Sequence, residues 1–226
     1  MSLSLEANLS TILNNVRQSC EKVGRNHDEI TVIGVTKYVT IERAQEAVDK
    51  GICHLGENRL EGLIDKYQHV TGKVHWHFIG SLQSRKVKDL IDKVDMIHSL
   101  DRMSLAKEIH KRATKSIDCF VQVNTSGEES KHGLHPDDVH SFIEKLAPYT
   151  NVRVVGLMTM APHVDDESIL RQTFSTLRAL RDDINKKQLD YAPCSYLSMG
   201  MSNDYQIAIE EGATHIRIGT KLVGSN

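Results

Sequence analysis

The chain has 226 residues, 39% of them hydrophobic, and a formal net charge of -2 at pH 7, which is enough for one α/β barrel or two small domains with a substantial core. Charge this close to neutral, with no basic stripe and no acidic tail, excludes electrostatic attraction to nucleic acid or to a membrane surface. Met1 to Glu6 lacks the basic and apolar segments of a secretion signal, no apolar run approaches membrane-spanning length, and Cys20, Cys53, Cys119 and Cys194 show no Cys-x-x-Cys spacing, as expected of free thiols in a reducing cytoplasm.

From the amino terminus, Leu5, Leu9, Ile12, Leu13 and Val16 recur at helical spacing, so an amphipathic helix is expected within residues 1–25. Strand-like and helix-like runs then alternate. Strands are expected at Thr31 to Val35, Cys53 to Gly56, His75 to Ile79, Met96 to Ser99, Cys119 to Val123, Val152 to Met158, Tyr196 to Ser198 and His215 to Ile218. Between them Ile41 to Lys50, Ser104 to Lys115, Pro136 to Leu146 and Ser168 to Lys187 carry helix formers with an apolar face. Eight βα units favour a closed (β/α)8 barrel over an open doubly wound sheet. Only Thr220 to Asn226 come after the last strand, so the first helix is expected to cover that side of the barrel. No Pro-, Gly- or Ser-rich linker interrupts the chain, and one domain over residues 1–226 is the expectation.

Barrel sites lie at the carboxyl ends of the strands, so the residues just past each strand-like run are the candidates for chemistry. The first run, Ile30 to Val35, ends in Thr36-Lys37. A lysine there is a Schiff-base candidate, and burial among apolar neighbours would favour its nucleophilic neutral amine. After the seventh run, Tyr196 to Ser202 supplies hydroxyls, a glycine for close backbone approach, and a Ser-Asn-Asp helix start at Ser202 to Asp204. After the eighth, Arg217-Ile-Gly-Thr220 adds a second set of backbone and hydroxyl donors. A Schiff-base lysine opposite a two-loop phosphate cradle suits an aldehyde that bears a phosphate. Pyridoxal 5'-phosphate (PLP) is such a ligand, and Arg217 is placed to face its ring nitrogen; a guanidinium has only donors and would leave that nitrogen an unprotonated acceptor.

These segments resemble the pyridoxal phosphate homeostasis proteins, single-barrel relatives of the alanine racemase N-terminal domain with the fold type III arrangement for PLP. The resemblance runs nearly end to end through Val35-Thr-Lys37, Gly56-Glu-Asn58, His77-Phe-Ile-Gly80 with Leu82-Gln83, Gln122-Val-Asn124, Lys131 and Gly133, Gly156-Leu-Met158, Leu197 to Ser202, and Arg217-Ile-Gly219. It implies Lys37 as the lysine that carries PLP, Asn58 near the ring oxygen, Arg217 at the ring nitrogen, and Ser198, Gly219 and Thr220 around the phosphate, with Met199 and Gly200 contributing backbone. Ser202 joins that cradle through its hydroxyl. Thr36, Arg85 and Val223 depart from the family pattern, which bears on ring packing and local contacts rather than on the cofactor.

Other signals carry less. His75 and His77 share one face of a strand, a spacing that metallohydrolases use, but no further His or Asp cluster completes a metal set and none is expected. Met158, Met160, Met199 and Met201 read as packing around an apolar ring, while Lys131 and Lys221 read as solvated lysines that also suit steering of an anion. The function implied is a cytoplasmic, non-catalytic PLP carrier, a monomer or weak dimer, that buffers the cofactor and delivers it to PLP-dependent apoenzymes. The alternative is a PLP-dependent amino-acid racemase, which needs a second acid/base group opposed to Lys37, supplied in such racemases by a further β domain for which this sequence is expected to lack the length. A Schiff-base aldolase on the same fold would leave Arg217 unexplained.

Overall fold

The computed structural model describes residues 4–128 and 132–224. Helix α1 (Leu5–Lys22) starts at Ser4, whose hydroxyl accepts from the Ala7 amide, and its Leu5, Leu9, Ile12 and Val16 face the core. Each such side chain taken out of water contributes about 1.5–3 kcal/mol. Next come β1 (Thr31–Val35), α2 (Ile41–Asp49), β2 (His54–Glu57), α3 (Leu60–His69), β3 (His75–Phe78), α4 (Val87–Leu90), β4 (Met96–Leu100) and α5 (Met103–Arg112). The second half contains β5 (Ile117–Gln122), α6 (Val139–Glu144), β6 (Val152–Met158), α7 (Glu167–Asn185), β7 (Tyr196–Met201), α8 (Tyr205–Glu210), β8 (His215–Ile218) and α9 (Thr220–Val223).

The eight strands are parallel, pair in sequence order and close β8 onto β1, which is the expected barrel. Side chains alternate across it. Leu55, Ile97, Leu197, Ile216 and Ile218 face outward into the strand–helix layer, and the alternate positions, such as His77, His98, Ser198, His215 and Arg217, face the interior. As expected, α1 covers the side next to β8: Asn8 donates to the Leu222 carbonyl at 3.2 Å, Asn15 to the Tyr205 hydroxyl at 2.8 Å, and Lys22 pairs with Glu210. Among the described residues no helix is long and apolar enough to cross a membrane.

Strand β7 extends beyond the expected Ser198 to Met201. Gly200 permits it: its φ is +93°, and a Cβ there would lie 2.6 Å from the Ala208 Cβ on α8. This glycine therefore admits the helix α8. The helix start expected at Ser202 to Asp204 is present, with Asp204 at the N-cap position of α8.

Candidate functional site

A cavity of about 590 Å³ opens at the carboxyl end of the strands, within the range of small-molecule sites. Of the nine residues expected to form the site, Lys37, Asn58, Ser202, Arg217, Gly219 and Thr220 line it. Val35, Val39, Ile79, Met160, Ala161 and Val223 give it apolar walls suited to the faces of a flat ring.

Lys37 stands two residues beyond the end of β1, in a turn at the rim of the cavity it lines. It is exposed, with Nζ 4.8 Å from the centre of the Tyr38 ring. The expected desolvation by apolar neighbours is thus corrected to a lysine at the rim. Thr36 beneath it is fully buried and donates to Glu57 Oε1 at 2.6 Å, and the same oxygen lies 3.0 Å from Lys66 Nζ. This buried pair anchors the turn that presents Lys37.

Asn58 lies just past β2, and its backbone is pressed against Gly80, where a Cβ would lie 2.2 Å from the Asn58 carbonyl oxygen. Its side-chain Oδ1 is buried and has no hydrogen-bond partner among the described residues. An unpartnered buried acceptor on a cavity wall is costly until a ligand donor meets it. Arg217, 5% exposed, forms the floor: one terminal nitrogen donates to Ser198 Oγ at 2.6 Å and the other to the Thr159 carbonyl at 2.9 Å. Burial pulls its pKa down to about 10, opposed by Asp204. Burial raises the Asp204 carboxyl, against the lowering bond from the Met201 amide at 2.5 Å and the nearby Arg217 charge.

Ser198, Met199 and Gly200 are not among the residues lining the cavity: alternation turns Ser198 inward below it and Met199 outward, and the register shift between Ser198 and Met201 turns Gly200 toward α8. The Ser198 hydroxyl is fully buried below the floor between His98 and Arg217. Met199 packs in the outer core and Gly200 against α8. Lys131 lies outside the described residues. Tyr38 and His163 on the cavity wall were not singled out in the sequence, and Asp204 was read only as part of a helix start; Tyr38 carried a signal as the neighbour of the lysine. His77 bonds to His54 and His98, and among the described residues no cluster of His, Cys, Asp or Glu is arranged to hold a metal ion.

A family model described as "Alanine racemase, N-terminal domain" matches residues 7–226. A pyridoxal phosphate homeostasis protein of Aquifex aeolicus is 42% identical over 220 residues, covering 96% of each chain. Among solved structures, PipY of Synechococcus elongatus with PLP bound has a TM-score of 0.81 at 29% identity, covering 93% of this chain and 100% of its own. An alanine racemase of Clostridium difficile shares the fold, with a TM-score of 0.75 at 17% identity, and this chain spans 56% of its length.

Proposed function

The chain belongs to the pyridoxal phosphate homeostasis protein family, and from that premise we propose that its cavity holds PLP covalently on Lys37, buffers the free aldehyde and hands it to PLP-dependent apoenzymes in the cytoplasm. The observation that carries this reading is convergence: one amine, one fixed guanidinium and two hydroxyls meet on a cavity whose Asn58 oxygen is unpartnered. Lys37 Nζ would hold the aldehyde carbon, with the carbonyl oxygen leaving as water. The Ser202 and Thr220 hydroxyls with the Gly219 backbone would bind the phosphate, and Asn58 would accept from the ring hydroxyl. When bound, PLP supplies an electron-withdrawing ring for chemistry at an amino acid's α-carbon. Arg217 restrains that capacity, because it donates to the ring nitrogen and leaves it unprotonated. The free thiols Cys20, Cys53, Cys119 and Cys194 suit a reducing compartment.

The racemase alternative needs a second acid/base group facing Lys37. Among the described residues the only tyrosine on the cavity wall is Tyr38, next to Lys37 and beneath its ammonium rather than across from it. With no tyrosine opposed to Lys37, exchange of the α-proton without inversion is expected unless His163 or Asp204 of the wall supplies the second group.

The test loads the purified chain with PLP and treats it with borohydride. A reduced adduct on Lys37, lost in Lys37→Ala, is expected, and an adduct on another lysine refutes the assignment. Pyridoxal without its phosphate should bind more weakly, each lost charge-assisted bond costing about 1.5–3 kcal/mol. In deuterated water with L- and D-amino acids, inversion at ordinary enzyme rates that disappears in Lys37→Ala would establish the racemase instead.

A further inference from the structure

Beneath the cavity a file of polar side chains runs the length of the barrel interior. His54 Nδ1 lies 2.9 Å from His77 Nε2, His77 Nδ1 lies 2.9 Å from His98 Nε2, and His98 Nδ1 lies 2.8 Å from Ser198 Oγ. Ser198 Oγ accepts from Arg217 at 2.6 Å. His77, His98 and Ser198 are fully buried, and His54 is half-buried at the opposite end of the barrel from the cavity. The file therefore connects the amino-terminal end of β2 with the floor of the site.

Its protons have a direction. A guanidinium only donates, so Ser198 Oγ is an acceptor toward Arg217, and its own proton goes to His98 Nδ1. A neutral imidazole has one N–H and one bare nitrogen, so His98 Nε2–H donates to His77 Nδ1, and His77 Nε2–H to His54 Nδ1. The reverse order also satisfies the ring-to-ring links, since the Ser198 oxygen has a second lone pair for a His98 Nδ1–H, but it leaves the Ser198 proton without a partner among the described residues. The first order is the one that also places that proton. Burial, reinforced by the neighbouring imidazoles and, for His98, by Arg217, holds His77 and His98 well below the ordinary imidazole range, as a file of neutral rings requires.

We infer that His98, backed by Ser198, His77 and His54, is a positioning residue: the proton-ordered file fixes the guanidinium of Arg217 so that its remaining N–H groups face the cavity at one orientation. The inference rests on the PLP reading for what Arg217 meets there, and on the interior geometry for the file itself. Side chains that merely fill a barrel are usually Val, Ile or Leu. A hydrophobic filler occupies space without direction, whereas this file ends on the one cation of the cavity floor.

Two measurements test it. In the ligand-free full chain labelled with ¹⁵N, long-range imidazole spectra should show His77 and His98 as neutral Nε2–H tautomers with slowly exchanging protons, assigned by the single variants His77→Gln and His98→Gln. Nδ1–H tautomers or cationic rings at neutral pH overturn the file. In the PLP-loaded chain, His98→Phe should shift the absorption of the lysine-borne adduct and speed PLP release about tenfold, the equivalent of one lost hydrogen bond. His98→Gln, which keeps a donor and an acceptor, should restore most of both. If His98→Phe does not fold by circular dichroism, Ser198→Ala, which deletes only the hydroxyl, takes its place with the same expected shift and release. Wild-type spectrum and release rate in folded His98→Phe or Ser198→Ala refute the positioning role while leaving the PLP reading intact. Failure of the wild-type chain to form any reducible adduct would instead refute the PLP reading, and the tautomer measurement would still decide the file.

Discussion

The two sides of the barrel interior are filled by different physics. Toward β5 and β6, Phe120, Val155 and Met158 pack on one another, with Met96 and Met160 at the margin. Toward β2, β3, β4 and β8 the space is taken by His54, His77, His98 and His215. Phe120 is the seam, its ring stacked on His98 at 4.3 Å between centres and edge-on to His215 at 5.2 Å. Apolar packing is non-directional and indifferent to pH. The imidazole side is held by directional bonds that need neutral rings. One barrel thus specifies its core in two ways, and only the directional one can orient Arg217.

The two sides part most completely in acid. Unfolded imidazoles take up protons as the pH drops below about 6.5, whereas the buried rings do not until far lower, so the unfolded state gains protons first and stability falls with falling pH. For His215, burial, with His54 and Arg217 adding repulsion, lowers the pKa from 6.5 to about 3. That window of about 3.5 units corresponds to roughly 5 kcal/mol, comparable to the whole stability of a typical domain. His77 and His98 act in the same direction. Urea titrations should give a midpoint that is level from pH 7 to 8 and drops steeply from pH 6.5 to 5, ending in acid unfolding. A midpoint unchanged over that interval would mean that the rings are already charged or solvent-reached.

The seam gives the next largest effect, and its sign against pH separates the two sides. Phe120→Ala removes a fully buried ring and should cost about 3–5 kcal/mol through lost burial and a cavity. Because Phe120 does not titrate, the loss should be similar at pH 8 and pH 7. A loss that grows as the pH falls within that range would show that the ring also excludes water from His98 and His215.

The strands were more legible in the sequence than the interior contacts between them. Runs such as Thr31 to Val35 and Val152 to Met158 announce buried parallel strands by composition, and their observed ends coincide with expectation. Lys37, Asn58 and Arg217 could be assigned to the site because each sits at or just past a strand end. Ser198 and Met199 could not, because the alternation that sends one inward and the other outward depends on the register of β7, which shifts against β8 between Ser198 and Met201. The file was half visible: His75 and His77 share a face, but the pairing that brings His54 and His98 alongside is a property of neighbouring strands, not of either run. Ala-rich or aliphatic positions predict burial from type alone; a histidine predicts nothing until its partners are in place.

The last contrast, which contains the smallest expected effect, is between two ion pairs of similar geometry on the two sides. Between β2 and α3, Lys66 Nζ lies 3.0 Å from Glu57 Oε1, with side chains 7% and 1% exposed. At the open amino-terminal end near β5 and β6, Arg153 Nε lies 2.7 Å from Asp118 Oδ1 with a second contact at 3.0 Å, and the side chains are 50% and 23% exposed. By distance alone the second pair should be the stronger. Burial reverses that order, since among the described residues Glu57 Oε2 already has no partner and losing Lys66 leaves the buried carboxylate only the Thr36 hydroxyl. Lys66→Met should therefore cost about 3–5 kcal/mol, and adding Glu57→Gln should recover part of it by removing the stranded charge. Arg153→Met should cost no more than about 1 kcal/mol, because water and salt screen the freed Asp118. Equal losses in urea denaturation for the two single variants would place the dielectric of the strand–helix layer near that of the surface, and would weaken the account of a dry anchor beneath Lys37.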